Sequence, residues 1–165
     1  MPVGRFYAGI ATVIWSPASL QYLLLHRSAQ SAVRPSVWEC VTGRVDQGES
    51  FDDTLHREVH EELGVTVEVD HILGTAHYYR GTPLPENELV GVVYFCTLDH
   101  TTPIRLSAEH VEYRWLPFNQ AIELLSAPDP STQWTRRVIQ HAEAIRPLLP
   151  RELLGFQITA GFEFG

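Results

Sequence analysis

The sequence contains one strongly specified helix, and its pattern constrains the fold more than any other segment. Ser50 and Asp53 have the spacing of a capping box, and Gly64 is placed as a C-terminal cap, which predicts a helix from about Ser50 to Leu63. Its apolar stripe consists of Leu55, Val59 and Leu63. Because a helix must bury such a stripe, we expect this one to pack against a sheet and to leave its polar side at the edge.

The same helix carries three glutamates on one side. Since a helix advances about 100° per residue, Glu58, Glu61 and Glu62 fall within one arc of about 100°. The like charges of Glu58 and Glu62 at i,i+4 disfavour the helix by roughly 0.2–0.5 kcal/mol, and Arg57 offsets only part of this by pairing with Glu61. Two interpretations stay open, a solvated acidic face or a site whose carboxylates hold Mg²⁺ or Mn²⁺. Helical geometry by itself favours the solvated face.

The rest of the chain has the pattern of a mixed α and β domain. Runs rich in β-branched and aromatic residues indicate strands, the first two of which form a hairpin. The predicted strands cover residues 6–15, 21–26, 37–41, 65–73, 75–79, 89–98 and 112–116. The third is expected to run directly into Thr42 and Gly43, after which the chain turns before the helix, and residues 81–88 form a loop that contains proline.

The C-terminal third is predicted to be helical. Pro117 is placed to open a helix that reaches about residue 125, and Ser131 is the predicted N-cap of a longer helix. Pro147 is expected to end or kink that longer helix. Residues 155–165 stay open between a last strand and a loose end.

Composition restricts the class of protein. With 165 residues, 44% of them hydrophobic, the chain is expected to form one domain over residues 1–165. The net charge of -8, from 12 basic and 20 acidic residues, argues against binding of duplex nucleic acid, although a bound metal can attract a small phosphorylated substrate. No apolar run reaches about 18 residues, and residues 1–7 lack a signal-peptide pattern, so a cytoplasmic protein without a membrane partner is expected.

The cysteines and histidines indicate no site of their own. Cys40 and Cys96 each lie in an apolar segment, which favours reduced core thiols over a disulfide or a zinc site. His56 and His60 have helical spacing, but with Glu58 between them they lack the order of zinc-protease motifs. A solvated helix face is therefore the simpler interpretation of this histidine pair.

Over residues 43–65 the sequence resembles the Nudix box at every fixed position. With gaps of five, seven, one and one residues, the matching positions are Gly43, Glu49, Arg57-Glu58-Val59, Glu61-Glu62 and Gly64-Val65. Because chance agreement at so many fixed positions is improbable, the metal site replaces the solvated face as the interpretation. The resemblance implies an α/β class, the Nudix fold: an α/β/α sandwich with a central mixed β-sheet, the box as loop-helix-loop, and C-terminal helices over about residues 118–149.

The resemblance also implies a role for each box residue. The cation ligands would be Glu58, Glu61 and Glu62, with a carbonyl of Thr42 or Gly43 in addition. Arg57 and Glu49 would be an orienting pair beneath these ligands. The implied reaction is hydrolysis of a nucleoside diphosphate linked to a group X, in which bound metal gathers the phosphate oxygens and activates water.

This reaction needs a general base as well. In the family the base is a box glutamate or an acidic residue on a later loop. Glu109 is the first such candidate here, and Glu112, which lies on a predicted strand, is the second.

The substrate branch is indicated by segments outside the box. Residues 38–43, 109–110 and 113–116 look like those of the nucleoside triphosphate pyrophosphohydrolases, in particular the enzymes for dihydroneopterin triphosphate and dATP. Residues 41–43 are Val-Thr-Gly in place of the commoner Pro-Gly-Gly, which supports this branch. Its products would be a monophosphate and pyrophosphate. The candidate substrate contacts are Arg27, Trp38, Tyr78 and Arg80.

Other interpretations stay open. Position 81, where other branches carry a proline or tyrosine marker, is Gly, but Tyr78, Tyr79 and Pro83 are near, so ADP-ribose and dinucleoside polyphosphates are alternative substrates. A catalytically silent Nudix-like domain that senses a nucleotide would show a damaged box, and this box is complete. The acidic balance counts against removal of messenger-RNA caps. A homodimer, with the tail after Pro150 as an exchange arm, is a further hypothesis.

Overall fold

The computed structural model describes residues 4–31 and 34–164. The strands within them are β1 (Tyr7–Ser16), β2 (Gln21–Arg27), β3 (Trp38–Glu39), β4 (Val41–Arg44), β5 (Glu68–Tyr79), β6 (Glu88–Thr97) and β7 (His110–Leu116). They form one sheet with the order β3-β2-β1-β6-β5, in which β4 also pairs with β1 and β7 with β2. The β1 and β6 strands are parallel and the other pairs are antiparallel, so the sheet is mixed as predicted.

Helices cover both faces of this sheet. The α-helices are α1 (Phe51–Leu63), α2 (Phe118–Leu124), α3 (Pro130–Ile145) and α4 (Arg151–Ala160), and short 3₁₀ helices cover Pro85–Asn87 and Arg146–Leu148. One core lies between the sheet and α1, where Leu55, Val59 and Leu63 are fully buried. A second core lies on the opposite face and includes Ala121 from α2 and Ile139 from α3. The predicted α/β/α sandwich is therefore confirmed.

The centre of the sheet depends on a close approach between two glycines. Gly9 in β1 lies opposite Gly91 in β6 in the parallel register. A Cβ atom on Gly91 would overlap the carbonyl oxygen of Gly9. Because that oxygen belongs to the backbone of a central strand, it cannot move aside, and glycine is required at position 91.

Two strand predictions are wrong in detail. Residues 37–41 do not form one strand, because β3 pairs with β2 whereas β4 pairs with β1, and the chain changes partner at Cys40. Thr42 and Gly43 belong to β4, and the chain turns after them, at residues 47–48, as predicted. The two strands predicted from residue 65 onward are one strand, β5, which keeps its pairing with β6 through two register shifts.

The C-terminal helices follow the prediction up to residue 145. The helix after Pro117 and the end of α3 before Pro147 are confirmed. The N-cap of α3 is Asp129, whose side chain accepts a hydrogen bond from the backbone N of Thr132 at 2.9 Å, and not Ser131. The reason is Pro130, whose fixed φ suits the first position of a helix and leaves the cap to the residue before it.

The tail is neither the strand nor the loose end that were the two alternatives. It forms α4, which contacts β5, although none of its residues is buried. Beyond it Phe162 packs against Tyr94 in the first core, and the Glu163 carboxylate accepts a hydrogen bond from the backbone N of Phe51 at 2.7 Å. The tail thus ends at the start of α1.

The remaining expectations concern single residues and the membrane. Cys40 and Cys96 are buried free thiols, as predicted, and His56 and His60 lie on the exposed side of α1. No helix among the described residues is long and apolar enough to cross a membrane.

Candidate active site

The box helix α1 has the caps that its sequence predicts. The Ser50 hydroxyl accepts a hydrogen bond from the backbone N of Asp53 at 2.9 Å, and the Asp53 carboxylate accepts one from the Ser50 backbone N. Gly64 ends the helix with a φ of 67° in the left-handed region. With its apolar stripe buried on the sheet, α1 holds its acidic side beside β4, where the box begins.

Gly43 is the point at which β4 and α1 come closest. A Cβ atom at this position would overlap the Cγ, Cδ and Oε1 atoms of Glu58. The missing side chain therefore leaves the space that the Glu58 carboxylate occupies over the strand. This is a physical reason for glycine at the first position of the box.

Arg57 is held firmly by Glu49. Its Nε and Nη2 atoms donate to the two carboxylate oxygens of Glu49 at 2.7 and 2.9 Å, and Nη2 also donates to the carbonyl of Arg44 at 2.9 Å. The hydrogen bonds from Arg57 lower the pKa of Glu49 to about 2. The structure thus brings together the two residues for which an orienting role is predicted.

The same arginine separates two of the candidate metal ligands. Its Nη1 atom lies 2.9 Å from Oε1 of Glu58 and 3.4 Å from Oε2 of Glu61. Within the described ranges, no three acidic, histidine or cysteine side chains are already arranged around a single ion position. A bound cation would therefore compete with Arg57 for the carboxylates of Glu58 and Glu61.

Glu62 differs from its neighbours because its side chain is only 5% exposed. Its Oε2 atom has no hydrogen-bond partner among the described residues. Burial, followed by repulsion from Glu39 and Glu58, raises the pKa of Glu62 well above its usual value. Burial also raises the pKa of Glu58, although Arg57 opposes the shift. A buried carboxylate oxygen that accepts no hydrogen bond and lies beside a second carboxylate fits a hard divalent cation such as Mg²⁺ or Mn²⁺.

An open cleft of about 430 Å³ lies beside these carboxylates. Its acidic lining residues are Asp46, Glu58, Glu61, Glu62 and Glu109. Its basic lining residues are Arg27, Arg34, Arg44, Arg57 and Arg80, and Tyr78 and Leu89 add less polar surface. A cleft that contains both carboxylates and guanidinium groups suits a cation together with an anionic substrate.

Three of the four predicted substrate contacts line the cleft, and the fourth, Trp38, does not. Tyr78 and Arg80 line the cleft, and the Arg80 guanidinium lies 5.7 Å from the centre of the Tyr7 ring. Arg27 also lines it, but its guanidinium is buried and already paired with carboxylates. Trp38 does not line the cleft, because its ring stacks on His26 at 4.7 Å, with Arg114 over it at 4.8 Å.

The two candidate bases are also separated. Glu109 lines the cleft, its side chain is 60% exposed, and Oε2 accepts a hydrogen bond from Arg27 at 3.0 Å. Glu112 does not line the cleft and pairs with Arg114 on the exposed side of β7. The geometry therefore favours Glu109 of these two.

Some residues in or behind the cleft have no role predicted from the sequence, among them Arg34, Arg44 and Glu39. Arg34 and Arg44 line it, and Glu39 lies buried behind it. For Glu39 a signal existed, namely a carboxylate within the apolar run of β3 and β4, where a charged residue needs a buried partner. The arginines are recognisable only once the sheet places them beside the box.

Comparisons with known proteins agree with this geometry. A domain model described as "NUDIX domain" matches residues 7–142. The NAD-capped RNA hydrolase NUDT12 of Homo sapiens is 27% identical over 128 residues, which are 73% of this chain and 26% of the relative. The 8-oxo-(d)GTP phosphatase of Mycolicibacterium smegmatis is 29% identical over 113 residues, 68% of this chain and 32% of the relative. The chain thus spans about a quarter to a third of these relatives.

Solved structures show the same fold. The MutT protein from Methanosarcina mazei has a TM-score of 0.69 at 22% identity, covering 88% of this chain and 99% of that one. The dihydroneopterin triphosphate pyrophosphohydrolase of E. coli has a TM-score of 0.63 at 22% identity, covering 82% and 96%. Since the domain model covers most of the sequence and the fold agrees, the chain belongs to the NUDIX family, as its box predicts.

Proposed function

We propose that this protein is a metal-dependent hydrolase of a phosphate anhydride in a nucleotide-like substrate. The observation that carries the proposal is Glu62, a buried carboxylate with an oxygen that accepts no hydrogen bond from the described residues, beside Glu58 and an arginine-lined cleft. Family membership and the hydrolases among the relatives support it. The complete box counts against a catalytically silent domain.

The position of each group supports a separate role for it in the reaction. Mg²⁺ or Mn²⁺, held by the box glutamates Glu58, Glu61 and Glu62, would supply activation of water and stabilisation of the leaving oxygen. Arg44 and Arg80, which line the cleft, bind phosphate oxygens. The exposed Glu109 carboxylate takes the proton of the attacking water.

We propose a nucleoside triphosphate or dihydroneopterin triphosphate as the substrate, with a monophosphate and pyrophosphate as products. A relative that acts on 8-oxo-(d)GTP supports this choice, and so does a cleft with several guanidinium groups for several phosphates. A dinucleotide with an internal pyrophosphate is the second candidate. It is favoured by the relatives named NAD-capped RNA hydrolase and NAD(P)H pyrophosphatase, the latter from Mus musculus at 28% identity.

The test is a substrate panel with Mg²⁺ and with Mn²⁺. It contains the nucleoside triphosphates, dihydroneopterin triphosphate, NADH, ADP-ribose and diadenosine polyphosphates, and it measures monophosphate, pyrophosphate and phosphate separately. We expect pyrophosphate release from a triphosphate. Release of two mononucleotides from NADH would instead support the second candidate, and no hydrolysis of any substrate by folded protein would refute the enzyme.

Cellular location and assembly stay predictions. The predicted cytoplasmic location and the absence of a duplex nucleic-acid partner are tested by localisation of the tagged protein and by binding assays with DNA. The predicted homodimer is tested by light scattering of the full chain and of a chain that ends at Pro150. If both chains are monomers, the hypothesis of an exchange arm is wrong.

A further inference from the structure

Glu39 is a buried carboxylate behind the cleft that lies outside the box. It ends β3, and its side chain is only 2% exposed. A single charge buried in this way is strongly unfavourable unless several partners satisfy it. The arrangement of those partners therefore indicates what the residue is for.

Glu39 has three basic partners, each from a different part of the chain. Arg27 at the end of β2 donates from Nε to Oε1 of Glu39. His110 at the start of β7 lies with Nε2 3.3 Å from the same oxygen, and Nη1 of Arg34 lies 3.3 Å from Oε2. Burial would raise the pKa of Glu39, but these three partners together lower it.

Two of these partners also contact the candidate base or a candidate metal ligand. Nη1 of Arg27 donates to Oε2 of Glu109 at 3.0 Å. Nδ1 of His110 lies 3.8 Å from Oε2 of Glu62, the buried candidate metal ligand, which is a close contact but not a hydrogen bond. Glu39 is thus one residue removed from both the candidate base and the candidate ligand.

Sheet pairing explains how the cluster assembles. Leu25 in β2 lies opposite Glu39, and Arg27, two residues on, lies opposite His110 in β7. The β2 strand therefore sets the distance between Glu39 and His110 and carries Arg27 itself. Apolar residues at such core positions are often as stabilising as a buried ion pair, so the charges call for a purpose other than stability.

We propose that Glu39 is a positioning residue for the reaction. Through Arg27 it holds Glu109 at the edge of the cleft, and through His110 it sets the position of the imidazole ring beside Glu62. This inference rests on the proposed hydrolase function. Glu39 itself does not touch the substrate or the metal.

The main variant is Glu39→Gln, which keeps the shape and removes the charge. We expect kcat to fall by about 10- to 100-fold, while KM changes by less than about threefold, because groups that orient ligands have effects of this size. The matched control is Glu143→Gln, which removes a half-buried carboxylate paired with Tyr22 and Arg146 away from the cleft. Its kcat is expected to stay within about twofold of the parent protein.

A double-mutant cycle tests the route through Glu109. If Glu39 acts on that residue, Glu39→Gln has a smaller effect on kcat in the Glu109→Gln background than in the parent protein. If the fold-decrease in kcat of the double variant equals the product of the two single decreases, this route is wrong.

A binding measurement tests the route through Glu62 without turnover. Mn²⁺ is titrated into each full-length protein, and the free ion is followed by electron paramagnetic resonance. We expect Glu39→Gln to weaken Mn²⁺ binding by about tenfold and Glu143→Gln to leave it unchanged. If Glu39→Gln does not fold, Arg27→Lys replaces it in the kinetic comparison, since it keeps a buried charge but cannot contact Glu39 and Glu109 together. In the Mn²⁺ titration His110→Gln then replaces it, because His110 lies between Glu39 and Glu62.

The outcomes separate this inference from the proposed function. If the parent protein hydrolyses substrate and Glu39→Gln has normal kcat and Mn²⁺ affinity, only the positioning role is wrong. If the parent protein hydrolyses nothing in the panel, the proposed function is wrong. In that case the Mn²⁺ titration still decides whether Glu39 affects metal binding at Glu62.

Discussion

Replacement of Gly43 by Ala is expected to remove activity without unfolding the protein. The added methyl group would overlap the Cγ, Cδ and Oε1 atoms of Glu58, which belong to a flexible side chain and can move into the cleft. Movement toward water also relieves the burial that raises the pKa of Glu58. We therefore expect the free energy of unfolding to fall by less than about 1 kcal/mol, which is about 2–4 °C in Tm for a chain of this size.

The displaced carboxylate no longer occupies its place beside Glu62. Loss of one catalytic contact typically lowers kcat by about 100-fold or more, and we expect this for Gly43→Ala. The matched control is Gly91→Ala, where the methyl group would overlap the backbone oxygen of Gly9 and no side chain can make room. Forcing a group into a packed core costs about 1–3 kcal/mol, so this variant should unfold at lower temperature.

Calorimetry of the metal-free proteins and hydrolysis with Mg²⁺ below each Tm measure the two effects separately. Opposite changes in the two variants, with stability lost at position 91 and turnover lost at position 43, are the expected result. Near-normal turnover of Gly43→Ala would refute the reasoning, because Glu58 would then not need the space above the strand.

Further predictions concern the buried groups and one helix cap. Glu61→Gln and Glu62→Gln should each lower turnover by at least about 100-fold, and near-normal turnover in both would refute the ligand assignment. Because the pKa of Glu62 is raised in the folded state, its ionisation destabilises the metal-free protein as pH rises above 4.5, the usual pKa of a glutamate. Metal-free Glu62→Gln should therefore be more stable than the parent protein at pH 8 but not below pH 4.5. Burial lowers the pKa of His71 from 6.5 to about 4. As pH falls across that interval, the free energy of unfolding of the parent protein should therefore fall by about 3 kcal/mol relative to that of His71→Phe. The same pH dependence for both proteins in denaturant titrations would contradict this. Asp129→Ala should cost about 1 kcal/mol of stability, whereas Ser131→Ala should cost much less.

The box helix could be predicted from the sequence because all its signals are local. The cap at Ser50, the apolar stripe and the left-handed Gly64 act within α1 and need no knowledge of the rest of the fold. The α3 cap shows the limit of the same argument, since Asp129 and Ser131 are both good caps and only the proline between them decides. The α4 helix was missed because residues 155–165 have neither strong caps nor a buried stripe.

The polar cluster behind the cleft could not be predicted, because it depends on strand pairing. Arg27, Glu39 and His110 are far apart in sequence and meet only because β2 pairs with both β3 and β7. The break at Cys40 has the same origin, since a uniform apolar run gives no sign that its two halves pair with different strands. Local patterns predict which elements form, whereas the partners of a strand depend on the whole sheet.

The charges of the site suggest why the box contains an arginine among its glutamates. Without a cation, Arg57 contacts both Glu58 and Glu61 and reduces their repulsion. When a cation takes over those carboxylates, Arg57 keeps its two hydrogen bonds to Glu49 and its bond to the carbonyl of Arg44. It therefore needs no new partner when a cation binds. Glu62 has no such substitute, because Arg57 does not reach it, and this is why the metal-free state should gain stability when that carboxylate alone loses its charge.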